Sequence, residues 1–334
     1  MLSEFSLIDR FFARRAALAR PPHAHRDTLG IGDDCALLAP RSGEMLAIST
    51  DMLVEGRHFF ADVDPEALGH KALTVNLSDL AAMGAQPQAF TLAFSLPKAD
   101  EAWLSAFSDG LFALAERHGC ELIGGDTTGG PLNLCITVFG SVPPQAALRR
   151  DAARPGDDIW ISGTLGDARA GLGVQRGEWN AAEPGDAAAF RHALERPEPR
   201  IALGLALRGI AHAALDLSDG LAGDLLHILE RSAVRASVDV DAVPRSAALR
   251  RLAPAIQQRC TLAGGDDYEL CFTAPAAARA AVEAAAQKAA VPVTRIGTIS
   301  ALEAATDRPA IAWRNAAGAP LTLTLQGFDH FHAE

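Results

Sequence analysis

Acidic residues in this 334-residue chain recur beside glycines and hydroxyl side chains, a combination suited to holding hard cations against phosphate. Gly30-Ile31-Gly32-Asp33-Asp34-Cys35-Ala36 sets two adjacent carboxylates on a turn that two glycines permit. Cys35 stands where a dinucleotide-binding fingerprint would need its third glycine, so that motif is absent. Ser49-Thr50-Asp51 follows an apolar run, which predicts two hydroxyls and a carboxylate at the C-terminal end of a strand, where α/β sheets carry ligands. Asn76-Leu77-Ser78-Asp79-Leu80 places a polar trio inside a helical pattern, with Asp79 positioned to project toward a metal. From Leu122 to Gly130 an apolar strand is expected to run into a loop of four glycines with Asp126, Thr127 and Thr128. Such a loop brings backbone N–H groups against phosphate while Asp126 holds metal. Asp216-Leu217-Ser218-Asp219-Gly220 ends another expected strand, and Gly264-Gly265-Asp266-Asp267-Tyr268-Glu269 packs three acids into a turn.

Taken singly, each motif has a plain alternative. A Gly-Asp-Asp turn suits solvent, Asp79 suits an exposed helix face, and Ser218 or Asp219 suits a helix N-cap. Together they are six acidic sites in a chain of formal charge −11, which repels a nucleotide unless metal reverses the local sign. Mg²⁺ takes one or two carboxylates and completes its shell with water and phosphate oxygens, so several Mg²⁺ ions bound with ATP fit this pattern.

The elements that must carry these motifs alternate. Strand-like runs at Met45–Thr50, Phe90–Leu96 and Leu132–Val142 are interleaved with helical patterns at Pro65–Gly84 and Trp103–His118. After the turn-rich stretch Arg149-Arg150-Asp151 to Asp158, strands are expected at Ile159–Ser162, Ala213–Leu217 and Leu270–Thr273. Helices are expected there at Ile201–Leu207, Leu221–Arg231 and Pro275–Ala290. This is an α/β or α+β pattern, divided near residue 145 into domains 1–145 and 146–334. Leu77-Ser78-Asp79 recurs as Leu217-Ser218-Asp219, and Gly124-Gly125-Asp126 as Gly264-Gly265-Asp266, both 140 residues on, a hint of two related halves.

Composition narrows the functional classes. With 49% hydrophobic and 21% charged residues the chain can build real cores. The acidic balance argues against nucleic acid. The three lysines, Lys71, Lys98 and Lys288, never follow glycine, which excludes a P-loop. Acids near the start and the lack of a long uncharged run predict a cytoplasmic protein that neither carries an export signal nor enters a membrane. Five cysteines without a CxxC pair suggest buried thiols rather than disulfides or zinc.

The ordered set, from the Gly30 turn through Asn76-Leu77-Ser78-Asp79-Leu80-Ala81-Ala82-Met83-Gly84 to Gly264-Gly265-Asp266-Asp267-Tyr268-Glu269-Leu270, resembles the bacterial thiamine-monophosphate kinase family. The match runs from about Phe5 to Phe331. The resemblance implies the two-domain aminoimidazole-ribonucleotide-synthetase-like fold. It also implies a homodimer whose N-terminal domains, which bind ATP and Mg²⁺, share a β-barrel. By position it implies Mg²⁺ ligands at Asp34, Ser49, Thr50, Asp51, Asp79, Asp126, Asp216 and Asp219, and ATP contacts at Gly125, Asp126, Arg150 and Ser218. It further implies thiamine monophosphate contacts at His58, Asp266 and Phe328. Asp266 stands where the family usually has glutamate, a carboxylate one methylene longer. The implied reaction, ATP plus thiamine monophosphate giving ADP and thiamine diphosphate, needs no covalent nucleophile. Other ATP-using enzymes of the same superfamily share the acidic turns. The selenophosphate type needs a cysteine before Cys35 and the hydrogenase-maturation type a C-terminal cysteine, and neither is present. A non-catalytic ATP or thiamine-phosphate sensor would not need acids at every metal position.

Overall fold

The computed structural model describes residues 4–19, 29–303, 307–323 and 325. They form two compact units, one of residues 1–80 and 85–145, the other of residues 81–84 and 146–334.

The first unit begins with α1 (Glu4–Leu7), a π-helical turn (Ile8–Ala13) and α2 (Arg14–Ala19). Then follow β1 (Met45–Val54), α3 (Pro65–Ala82), β2 (Gln86–Leu96), α4 (Glu101–His118), β3 (Glu121–Gly129) and β4 (Asn133–Val142). The strands make one open sheet in the order β1-β4-β2-β3, antiparallel except for the parallel β2–β3 pair. Alternation sets its two faces. Phe90, Leu92, Phe94, Leu134, Ile136 and Val138 are buried. Phe94 stacks on Phe107 of α4, so the buried side of the sheet faces the helices. Helices α3 and α4 approach backbone to backbone: a Cβ on Gly69 would lie 2.0 Å from the Phe107 carbonyl oxygen, and one on Gly110 1.9 Å from that of Glu66. Glycine is required at both positions by this contact. Asp100 caps α4 by accepting from the N–H groups of Ala102 and Trp103, and Gly119 ends it in the left-handed conformation. Arg10 and Arg15 pin the N-terminal helical segment to Glu101 and Asp109 of α4.

The second unit contains β5 (Asp157–Ser162), α5 (Asp167–Gln175), α6 (Pro184–Glu195), α7 (Ile201–Ala206), β6 (Ala213–Asp216) and α8 (Leu221–Ser232). It continues with β7 (Val234–Asp239), α9 (Pro254–Ala263), β8 (Leu270–Pro275), α10 (Arg279–Ala289), β9 (Val293–Ala301) and β10 (Ile311–Arg314). Its six strands run β10-β7-β9-β5-β8-β6, antiparallel except for β10–β7. Leu221, Leu225, Ile228 and Leu229 form one apolar face of α8, packed with Ile159, Ile161, Leu215 and Val238 in the core.

Several local expectations change. Strand β1 continues to Val54, so Ser49, Thr50 and Asp51 lie within it rather than at its end. The glycines from Gly124 to Gly129 form no loop: β3 carries them along β2, with Gly125 opposite Leu92 and Asp126 opposite Ala93. The ladder bonds to β2 offset the entropic cost of glycine, and the register shifts between Phe90 and Thr91 mark the bulge such residues favour. The sequence echo at 140 residues does not mark equivalent positions. Asp79 lies inside α3 and Asp219 in the turn before α8, while Asp126 is on a strand and Asp266 in a turn.

Candidate functional site

In the first unit, alternation turns Ser49 and Asp51 toward the helical side of β1. The Ser49 hydroxyl donates to the Asp79 carboxylate on α3. One turn earlier on the same helix, Asn76 accepts from the main-chain N–H of Asp51 at 3.1 Å and anchors its own amide on the Ala72 carbonyl oxygen at 3.1 Å. Two of the polar trio in this helix therefore have their contacts, since Asn76 holds the backbone and Asp79 meets Ser49; the Ser78 hydroxyl is buried without a hydrogen-bond partner among the described residues. Thr50 points to the opposite face, where its hydroxyl bonds that of Thr137 at 2.8 Å. A role for Thr50 on the Asp79 side would have to use its main chain.

Asp126 lies exposed on β3, which β4 and β2 separate from β1 in the sheet order. Its neighbour Gly125 has φ +150°, and a Cβ there would lie 1.8 Å from the Leu92 carbonyl oxygen, so position 125 admits no side chain. The loop carrying Asp34 runs beside β3, where Gly30 lies against the main chain of Ile123, and the Asp34 N–H donates to Asp33 Oδ1 at 3.0 Å. His58 sits in the turn after β1, with its Nδ1 accepting from the Val54 N–H at 3.0 Å. In neutral imidazole that bond places the proton on Nε2, leaving a donor at the other end of the ring.

In the second unit, two turns are stitched together through the backbone. Asp266 N–H donates to the Ser218 carbonyl oxygen (2.9 Å), Tyr268 N–H to that of Leu217 (2.8 Å), and Leu217 N–H to that of Glu269 (2.8 Å). A Cβ on Gly265 would lie 2.2 Å from the Ser218 carbonyl oxygen, so glycine is needed for this approach. Asp266 and Tyr268 adopt φ +66° and +51°, a left-handed backbone that side chains accept only where surrounding bonds enforce it. The Tyr268 hydroxyl donates to Asp266 Oδ1 at 3.2 Å. Underneath, the buried Glu269 carboxylate receives Ser162 Oγ at 2.5 Å and a two-pronged bond from Arg200, with Nε at 2.7 Å. Thus Asp216, Ser218, Asp219 and Asp266 come together on one braced pair of turns.

Asp224 accepts from the N–H groups of Asp219 and Gly220, both at 3.0 Å. Burial pushes its carboxyl up to about 7, helped by the Asp219 charge; the two N–H bonds and the Arg150 guanidinium pull the other way. Asp267, half-buried with both oxygens near the Gly166 N–H, is raised well above the usual carboxylate range by burial. Phe328 lies outside the described residues.

Sequence reading passed over Asp224, Arg200 and Ser162. The available signal was periodicity: Asp224 falls within the Leu221, Leu225, Ile228 stripe of α8, and an acid on an apolar face needs a buried partner. Among the described residues, no three of His, Cys, Asp and Glu converge closely enough to hold a metal unaided. The donors are nonetheless carboxylate and hydroxyl oxygens, a hard set that suits Mg²⁺ completed by phosphate and water. Among the described residues, no helix is long and apolar enough to cross a membrane.

Comparisons with known proteins fit this geometry. Residues 32–142 match the family described as AIR synthase related protein, N-terminal domain, and residues 154–306 match its C-terminal domain. The thiamine-monophosphate kinase of Salmonella typhimurium is 49% identical over 329 residues, 98% of each chain. The crystal structure of thiamine-monophosphate kinase from Stenotrophomonas maltophilia K279a superposes with a TM-score of 0.83 at 49% identity, covering 96% of this chain and 98% of that one. AaThiL complexed with AMPPCP and TMP superposes with a TM-score of 0.73 at 29% identity, covering 99% and 97%. With AIR synthase related domains across both units and near-half identity along almost the whole length, the chain belongs to the thiamine-monophosphate kinase family.

Proposed function

We propose that this chain transfers the terminal phosphoryl group of ATP to the phosphate of thiamine monophosphate, releasing ADP and thiamine diphosphate. The observation that carries this reading is 49% identity over 98% of both chains to a thiamine-monophosphate kinase. AaThiL, similar along nearly the whole chain, is complexed with AMPPCP, an ATP analogue with a methylene at the β–γ bridge, together with TMP.

The chemistry asks for little beyond positioning. The acceptor oxygen belongs to a phosphate monoester largely ionised near neutral pH, since its second pKa is about 6, so no strong general base is required. That oxygen attacks the γ-phosphorus in line, the bond from the γ-phosphorus to the β–γ bridging oxygen breaks, and ADP leaves with the electron pair. Asp34, Ser49, Asp51, Asp79 and Asp126 in the first unit hold Mg²⁺, with Thr50 contributing through its main chain; Asp216 and Asp219 do so in the second. Bound Mg²⁺ neutralises the nucleotide phosphates. Gly125 and Asp126 on β3, with Arg150 and Ser218, contact ATP. Arg150 offers a planar fork to phosphate oxygens. His58 donates from Nε2 to the phosphate of thiamine monophosphate. Asp266, oriented by Tyr268, faces the cationic substrate, and Phe328 supplies an aromatic surface for its rings.

The protein acts as a homodimer. Leu46, Ile48, Met52 and Val54 alternate along the face of β1 away from the helices, and Ile48 and Met52 are 59% and 55% exposed. A row of large apolar side chains on an edge strand favours cover by a second sheet. Two four-stranded sheets so joined make a shared barrel, and the first unit is then both the nucleotide-binding and the dimerising domain. Separation of the products after incubation with ATP, Mg²⁺ and thiamine monophosphate tests the function: ADP and thiamine diphosphate should appear in equal amounts. Release of inorganic phosphate without thiamine diphosphate would refute it.

A further inference from the structure

We propose that Asp224 is a positioning residue that fixes the turn from Asp216 to Gly220 for phosphate transfer; the kinetic part of this role rests on the reading of Asp216, Ser218 and Asp219 given above. The turn cannot secure itself. Gly220 directly precedes α8 and has no side chain to cap the helix, and its φ of +108° suits glycine. A Cβ there would also lie 2.9 Å from the Ala263 carbonyl carbon and 3.0 Å from the Gly264 carbonyl oxygen, so a conventional capping side chain cannot replace it. Asp224 substitutes from within the helix. Its Oδ2 reaches back to accept both the Asp219 and the Gly220 N–H groups.

The other side of the turn is fixed independently, because the Ser218 and Leu217 carbonyl oxygens accept from Asp266 and Tyr268. The backbone under Asp219 is thus held from two directions. Asp224 is only 5% exposed, and its Oδ2 is occupied by both main-chain donors. Its role is to aim the neighbouring side chains rather than to touch the nucleotide. A carboxylate is otherwise a poor occupant of the apolar stripe of α8.

Amide hydrogen exchange in the full-length, ligand-free chain, paired with turnover, tests this role. Asp224→Asn keeps an oxygen that accepts the same two bonds, so the Asp219 and Gly220 amides should exchange as slowly as in the wild type. Asp224→Ala should speed both by about tenfold or more while β8 amides remain protected. In the transfer assay Asp224→Ala should lower kcat/KM by roughly tenfold to a hundredfold, and Asp224→Asn should stay within about threefold of wild type. Unchanged exchange in Asp224→Ala, or an Asp224→Asn enzyme as impaired as Asp219→Asn, would overturn the proposal. Should Asp224→Ala not fold, Asp224→Asn decides: wild-type exchange and turnover support the role, and loss of either overturns it. Absence of transfer by the wild type with the exchange contrast intact would count against the kinase reading and still support the bracing of the turn.

Discussion

The main-chain N–H of Asp51, on the edge strand β1, donates across 3.1 Å to the side-chain oxygen of Asn76 in α3. Asn76 is 1% exposed and ties its own amide to the Ala72 carbonyl oxygen, so strand and helix are locked in one register. That register brings Ser49 against Asp79. Replacing Asn76 by Leu strands a backbone donor and should cost about 1–3 kcal/mol of stability. Chemical denaturation should show this loss, and turnover should fall while the KM for thiamine monophosphate changes little.

Asp51 on β1 and Asp126 on β3 both belong to the proposed Mg²⁺ set. Asp51→Asn and Asp126→Asn should each fold normally by circular dichroism and lose about 10²-fold or more of turnover. Wild-type rates at limiting Mg²⁺ would remove either residue from the metal set.

The acidic turns were legible in the sequence because glycine, carboxylate and hydroxyl residues cluster there in linear order. The conformation of Gly124 to Gly129 was not: the glycines signalled a loop, and pairing with β2, set by residues some 30 positions earlier, made it a strand. The helices around α5 were missed for a related reason. Gly171 and Gly173 lower helix propensity, yet glycine is what lets α5 approach α6, since a Cβ on Gly171 would lie 2.5 Å from the Phe190 carbonyl oxygen. Side chains that brace the turns, such as Asp224 and Arg200, act on residues whose proximity only the folded chain creates.

Acid stability should depend on Asp158, which is 1% exposed and bound by Arg279 at 2.6 and 2.9 Å. Hydrogen bonding from Arg279 is the main cause holding its carboxyl below the usual range, with the charges of Arg279 and Arg295 adding to it and burial opposing it. In the unfolded chain the group returns to about 3.9. Its contribution is therefore complete above that value and is lost as pH falls through the lower folded pKa. Denaturation curves from pH 7 to pH 2 should show Asp158→Asn less stable at neutrality and less acid-sensitive below about pH 4 than the wild type. Equal acid slopes would contradict this.

The exposed face of β1 gives an association test. Ile48→Glu and Met52→Glu should each shift the sedimenting species from twice the chain mass to the chain mass, because a charge buried in an apolar contact without a partner is strongly disfavoured. A wild type that sediments at the chain mass at micromolar concentration would exclude the dimer.

Parallel phosphate-transfer assays with thiamine monophosphate, free thiamine and no acceptor, each with ATP and Mg²⁺, test the central assignment most directly. Rapid formation of thiamine diphosphate from thiamine monophosphate is expected, with neither transfer to free thiamine nor appreciable ATP hydrolysis in the other two. A higher kcat/KM for free thiamine, or ATP turnover indifferent to the acceptor, would contradict it.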